Sequence, residues 1–358
     1  MLLTVIAFVI VLGILVLAHE FGHFIAAKRA GVMVEEFSIG FPPRILSFKR
    51  GETRYSIGAI PLGGYVKMLG ELEESKSPRA FENQTPGKRL IISVAGVVMN
   101  FLLAWVLFSF VFAIGATPLT IDPDKVPGEK ISTKIVIFSV ADNSSAKQAG
   151  IEPGDIILRG QQKDTTTIFN NAEDLSNYTK SHRGQEISII VDHGGREVAK
   201  SVNLPDQDAP LGVGLGEQST VRVPWYKAPL VGLYETGQLI KMVFVFLGSL
   251  VYGIFARGEV SGDIGGPVAI YVYSGIFFRM GIIAFIQYIA ALSVNLALVN
   301  FLPIPALDGG RILFILFEKI FGKKIVKEKV ENIIHMIGYA ILLILILLVT
   351  LKDINRYF

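Results

Sequence analysis

The chain has 358 residues, 51% of them hydrophobic, and a mean hydropathy of +0.51. That is too apolar for a soluble protein of this size and fits an integral membrane protein. A net charge of +3 is unremarkable and points to no nucleic-acid partner; the absence of cysteine excludes disulfides and thiolate metal sites, leaving His, Asp and Glu as ligands.

Leu2 to Leu17 carries no charge, and the apolar run passes straight into Ala18-His19-Glu20-Phe21-Gly22-His23 and on through Phe24-Ile25-Ala26-Ala27. This predicts a first membrane span over about 2–27. It has no basic n-region and no small-residue cleavage pattern, so it reads as a retained helix and not as a signal peptide. His19, Glu20 and His23 form an H-E-x-x-H motif. At 3.6 residues per turn the two imidazoles stack on one face, where they can chelate one Zn²⁺, and Glu20 sits beside them to take a proton from water. Each ionisable group placed in a bilayer costs roughly 2.5–3.5 kcal/mol on insertion scales. Three of them on one span need a partner, and a metal ion is the common one. Counted from Leu2 at ~1.5 Å per residue, His19 lies roughly 25 Å along a hydrocarbon core of about 30 Å. Lys28-Arg29 follows, which makes that end cytoplasmic and the N-terminus external.

Between Val34 and Leu69, short alternating runs such as Phe37-Ser38-Ile39 and Tyr65-Val66-Lys67-Met68 are punctuated by Pro42-Pro43, Arg50-Gly51 and Gly63-Gly64. They predict a small membrane-associated β sheet, whose edge would suit an extended substrate. Glu71 to Arg89 is a polar cytoplasmic loop. Leu90 to Gly115 is the second span, with Gly96 and Asn100 four apart on one face. Both are expected to pack near the site and are candidates for contact with substrate.

Thr117 to Glu217 is polar and strand-rich, the size of one small domain. Within it, Gln148-Ala149-Gly150-Ile151-Glu152-Pro153-Gly154-Asp155-Ile156-Ile157-Leu158 resembles the signature of PDZ domains carried by bacterial proteases, and His193-Gly194-Gly195-Arg196 reads as a hairpin turn. A region over 218–280 follows. Within it Pro229 to Arg257 is apolar but interrupted by Glu235 and Lys241, and the crossing count requires that it cross zero times; an amphipathic helix in the outer interface is expected. That count rests on Lys319, Lys323, Lys324, Lys327 and Lys329, which place the last loop inside.

Gly281 to Phe317 is nearly twice the ~20 residues of a straight span and is broken at Asn300-Phe301-Leu302-Pro303-Ile304-Pro305-Ala306-Leu307-Asp308-Gly309-Gly310. Irregular backbone at membrane depth is tolerated where it lines a water-filled cavity. Asp308 would supply the third metal ligand and leave a fourth position for water. Ile333 to Leu351 is the fourth span, with His335 at its start read as interfacial. The fold class is therefore a polytopic α-helical membrane protein of about four spans. Its membrane parts, 1–116 and 281–358, flank a PDZ-like α+β domain at 117–217.

H-E-F-G-H in the first span, G-V-V-M-N in the second, the PDZ-like insertion and N-F-L-P-I-P-A-L-D-G-G in the third resemble the site-2 protease family of intramembrane zinc metalloproteases, in particular the bacterial RseP type. Ser38 to Phe41, Pro61 to Met68 and Ser261 to Pro267 match it too. The resemblance implies that His19, His23 and Asp308 bind zinc, that Glu20 is the catalytic base and that Asn300 helps hold the substrate backbone. It implies a multi-pass protein of the bacterial inner membrane, with the PDZ-like domain extracytoplasmic and the active site toward the cytoplasm. It also implies single-span membrane substrates, such as anti-sigma factors or remnant signal peptides, trimmed first by a site-1 protease. Many relatives carry two tandem PDZ domains, and this chain has room for one. The rival readings are a divalent-metal or proton transporter, which typically shows inverted repeats and more spans, and a membrane-anchored PDZ adaptor, which needs no Glu20.

Overall fold

The computed structural model describes residues 2–71, 75–162, 165–207, 210–257, 265–322 and 328–357. Part of the Ser261–Pro267 match (261–264) and the lysines at 323, 324 and 327 lie outside them. The chain divides into two compact units, one formed by residues up to Val111 and from Gly232 onward, the other by Phe112–Val231.

The first unit begins with α1 (Leu2–Ala30), an uninterrupted apolar run that ends on the basic residues Lys28 and Arg29. Gly31 stops it: its φ of +84° suits glycine, and Val32 N–H returns to the Ala27 carbonyl at 2.9 Å. Next come β1 (Val34–Arg50) and β2 (Thr53–Met68). The short runs expected from the sequence thus join into two long strands. Glu36–Ile39 is paired on one side with Gly64–Lys67 and on the other with Arg54–Ile57. Such folding back needs close backbone approach at a bend, and Gly40 and Gly58 provide it: a Cβ on Gly58 would lie 2.6 Å from the Gly40 carbonyl carbon. The sheet is fixed to the helices through Val34, Phe37, Val66 and Met68, which share a buried cluster with Ala27, Ile92 and Ile315.

Pro86 opens α2 (Pro86–Ile114) at its first turn, where a missing N–H costs little. After the second unit come α5 (Ala228–Arg257), α6 (Pro267–Arg279), α7 (Ile282–Phe301), α8 (Asp308–Phe321) and α9 (Glu328–Tyr357). The broken span expected at 281–317 is therefore a 20-residue helix, a turn at 302–307 and a 14-residue helix too short to cross a bilayer. α1 packs on α7 through Ala7, Val11, Leu15, Phe285 and Ile289. α6 begins at Gly266 with no side-chain cap of its own; instead Asp353 near the end of α9 accepts Gly266 N–H at 2.8 Å and Ala269 N–H at 3.0 Å. Among the described residues, five helices are long and apolar enough to cross a membrane: Leu2–Ala30, Pro86–Ile114, Ala228–Leu250, Ile282–Phe301 and Ile333–Tyr357. The third of these covers much of the segment expected to lie in the interface; length and composition alone also allow it to span.

The second unit is a β domain. Its elements are β3 (Glu129–Val140), α3 (Ser145–Gln148), β4 (Ile156–Gln162), β5 (Thr165–Ile168), α4 (Ala172–Ser181), β6 (Glu186–His193), β7 (Arg196–Asn203) and β8 (Val213–Arg222). The sheet runs β7-β6-β4-β3-β8, with β5 on β4. Inward residues Ile135, Ile137, Ile157, Ile187 and Ile189 form its core with Leu175 of α4. His193 and Arg196 pair across Gly194-Gly195, both at positive φ, which is the chemistry of a two-residue hairpin turn. Ala116 and Val221 exchange backbone hydrogen bonds at 3.1 and 2.9 Å, so the two ends of the insertion meet.

Candidate metal centre

On α1, His19 and His23 are one turn apart and each only 8% exposed. Their Nε2 atoms lie 3.2 Å from each other, and Asp308 Oδ2 lies 3.0 Å from that of His19 and 3.2 Å from that of His23. The three atoms form a near-equilateral triangle. Tetrahedral zinc with Zn–N and Zn–O distances of about 2.0–2.1 Å separates its ligands by roughly 3.3 Å, so the triangle has the size of one face of such a site. Together these three residues could hold a metal ion.

The surrounding polar atoms fit that use. His23 Nδ1 donates to the Ile92 carbonyl at 2.8 Å, which fixes the proton there and leaves Nε2 as the free lone pair. Asn100, with no exposure, has its amide nitrogen 3.3 Å from His19 Nδ1, while its side-chain oxygen is buried without a partner among the described residues. A His19 that coordinates through Nε2 keeps its proton on Nδ1 and needs an acceptor there. Turning the amide by 180° brings the orphaned oxygen to that place. Ser293 holds Asn100 from α7 by donating to its backbone carbonyl at 2.8 Å. Asn100 thus reaches a histidine from behind and does not line the cavity, in contrast to its candidacy for substrate contact. Asn300 Nδ2 lies 3.4 Å from His19 Nε2, on the metal side.

Glycines let the helices come this close. A Cβ on Gly22 would lie 2.9 Å from Met99 Cβ and collide with the Ala95 carbonyl. A Cβ on Gly96 would lie 2.9 Å from His19 Nε2 and collide with His23 Nε2. Gly96 therefore keeps space open at the ligand atoms, a role visible only once α2 is placed beside α1. In the same way, Gly309 and Gly310 allow the first turn of α8 to sit on the backbone of the 302–305 turn, with Gly310 within 2.5 Å of the Ile304 oxygen if it carried a Cβ. This explains why two glycines follow Asp308.

A cavity of about 820 Å³ opens over the triangle. It is lined by His19, Glu20, His23 and Asp308, by β2 residues Gly64–Met68, and by Arg311, Glu71 and His335. Among the described residues no strand other than β1 pairs with Gly64–Met68, and these residues border the cavity. α8 is pinned by Arg311 to Glu71 at 2.5 Å and by Arg89 to Glu318 at 2.6 Å. Arg311 lies three residues after Asp308, on the neighbouring turn. Neither it nor Glu71 stood out in the sequence, because single charges in a loop and a short helix carry no spacing signal.

A buried two-histidine, one-carboxylate centre with a glutamate beside it, set among apolar helices, defines a membrane metallopeptidase. The profile of peptidase family M50 matches residues 7–345, and the chain belongs to that family. It is similar to the zinc metalloprotease RasP of Geobacillus kaustophilus (30% identical, covering 99% of this chain and 98% of the relative) and to RasP of Bacillus licheniformis (30%, 99% of each). It is also similar to a candidate zinc metalloprotease of Clostridium acetobutylicum, 36% identical over 97% of this chain and 96% of the relative. The first alignment runs to 440 positions against 358 residues here, so that relative carries insertions.

Proposed function

We propose that His19, His23 and Asp308 hold the zinc ion of this intramembrane protease and that Glu20 is its general base. The observation that carries this reading is the 3.0–3.2 Å triangle of ligand atoms beside a glutamate in one cavity. Bound zinc supplies Lewis acidity, which polarises a carbonyl and acidifies water. Glu20 takes the proton of the attacking water and delivers it to the leaving amine. Asn100 holds the His19 ring, the Ile92 carbonyl holds that of His23, and Asn300, 3.4 Å from His19 Nε2, donates to the substrate backbone next to the metal.

The substrates are transmembrane segments of single-span membrane proteins, anti-sigma factor-like proteins or remnant signal peptides, after a site-1 protease has trimmed them outside. A helical substrate hides its carbonyls in i to i+4 bonds and must unwind locally. Adding the freed backbone as a strand beside Gly64–Val66, which lines the cavity, offsets that cost. The 117–217 domain is PDZ-like and extracytoplasmic, and screens substrates by size, while the metal site lies toward the cytoplasmic face. α5 lies in the outer interface, where the exposed Trp225, Tyr226 and Lys227 suit the headgroup region.

The test is Glu20→Gln in detergent or liposomes, with metal analysis beside cleavage of a model transmembrane peptide. Zinc near one per chain with turnover lost is the expected result, since the amide cannot accept the proton. Substantial remaining turnover would remove Glu20 from the role, and zinc transport without cleavage in the unaltered protein would favour a transporter.

A further inference from the structure

α9 reaches the turn that presents Asp308 at two points. His335 Nδ1 lies 3.0 Å from Ala306 N. Facing an N–H it can only accept, so the ring is neutral and carries its proton on Nε2. Three residues on, one turn along the same helix face, Gly338 abuts Pro305 so closely that a Cβ would lie 2.6 Å from both the Pro305 Cβ and its carbonyl oxygen. Between these contacts Ala306 adopts φ +82°, a left-handed conformation that residues other than glycine, asparagine and aspartate rarely hold. Ala306 has no side-chain group to stabilise it. The support comes from His335.

The His335 ring is an expensive choice if packing were its only purpose. Nε2 is buried with no partner among the described residues, and an apolar side chain would fill the space against Phe314 without that penalty. The Nδ1 bond is what the imidazole adds. The turn it controls is short and stiff: Ile304 N–H returns to Leu302 O at 2.7 Å, Leu307 N–H to Ile304 O at 3.1 Å, and Gly310 N–H to Leu307 O at 3.1 Å. A rotation at Ala306 in this turn would swing Leu307 and Asp308 together.

We infer that His335 is a positioning residue of the metal centre: its neutral Nδ1 locks Ala306 in the left-handed conformation and so sets the Asp308 carboxylate against His19 and His23. This rests on the reading that those three residues hold zinc. It makes α9, which contributes no ligand, part of what determines metal affinity.

The experiment uses the full chain in detergent, with zinc affinity read by competition against a chromophoric chelator and ligand geometry by the visible spectrum of the cobalt-substituted protein. His335→Ala is expected to weaken zinc binding about 10–100-fold, the range for lost supporting contacts around a metal site. It should also shift the cobalt bands and lower kcat with little change in KM. His335→Asn, whose amide oxygen falls where Nδ1 stands, should restore most of this, and His335→Gln, which reaches the Nε2 position, should not. Ala306→Gly added to His335→Ala should recover affinity, because glycine takes positive φ unaided. The inference is overturned if His335→Ala binds zinc as tightly as the unaltered chain. It is equally overturned if the Asn and Gln variants are impaired alike with parallel losses of thermal stability, which would be a packing role. The parent reading fails separately, if Asp308→Ala leaves zinc affinity unchanged.

Discussion

His23 donates its Nδ1 proton to the Ile92 carbonyl at 2.8 Å, and one turn further along the same face of α2 Gly96 leaves the space in front of the ring's other nitrogen empty. One helix therefore both aims the ligand and keeps its lone pair clear. Gly96→Ala should lower zinc affinity at least about tenfold, in the range for disturbed support of a metal ligand, because the new methyl would stand where His19 and His23 converge. Metal titration of the purified variant checks this, and tight zinc binding with unshifted cobalt bands would refute the steric argument.

Asp308→Ala should reduce zinc occupancy further than loss of a supporting contact does, since it removes one of the three proposed ligand atoms. Asn100→Ala, which only deprives His19 of its rear partner, should weaken zinc by about 10–100-fold and leave the coordination number intact. Equilibrium dialysis ranks the two. The order Asn100→Ala below Asp308→Ala in damage is the expected outcome.

Every cavity-lining residue belongs to the first unit, and the ends of the inserted domain meet at Ala116 and Val221. Excising Leu119–Gly216 and bridging the gap with a short flexible linker should therefore preserve zinc binding and cleavage of a short, pre-trimmed substrate. A substrate with its outer domain still attached should now be cut as well. Loss of activity on the short substrate in a variant that still binds zinc would mean that the domain positions substrate directly.

At the turn between β1 and β2, Glu52 receives a fork of hydrogen bonds from Arg79 at 2.7 and 2.8 Å and one from Lys28 at 2.8 Å. The Arg79 guanidinium first, and Lys28 second, hold its carboxylate down to about 2. A depressed carboxylate stabilises the fold above its unfolded value of about 4.3 and loses that contribution as pH falls toward 2. Being partly solvated, the cluster contributes no more than about 1 kcal/mol. Glu52→Gln should melt lower than the unaltered chain at pH 7, and the gap should begin to narrow as pH falls below about 4 and close only toward pH 2. A gap of the same size at pH 7 and at pH 2 would assign the loss to packing.

The candidate metal centre was legible to the extent that it is written in spacing. His19, Glu20 and His23 share one helix, and Asp308 follows a proline-broken apolar run, so periodicity and hydropathy both mark them. The β sheet was legible as strands but not in its extent, because Pro42-Pro43 and Gly63-Gly64 read as breaks, while in the structure the two strands run on through them and double back at Gly40 and Gly58. Gly96 and Asn100 were visible as a pair on one face, but which atoms they serve depends on the helix opposite. His335 carried no signal of position at all: a lone histidine at the start of an apolar helix looks interfacial, and its partner is a backbone N–H that any residue at 306 would offer.

Asp353 gives α6 the acceptor that its own N-terminal residues lack, and it arrives 87 positions later in the chain. A ribosome inserting this protein delivers α6 with a bare N-terminus and must complete α7, α8 and nearly all of α9 before that end can be closed. The N-terminus of α6 is thus completed only by the last turns of α9, and a chain stopped short of residue 353 would leave that helix end without its acceptor.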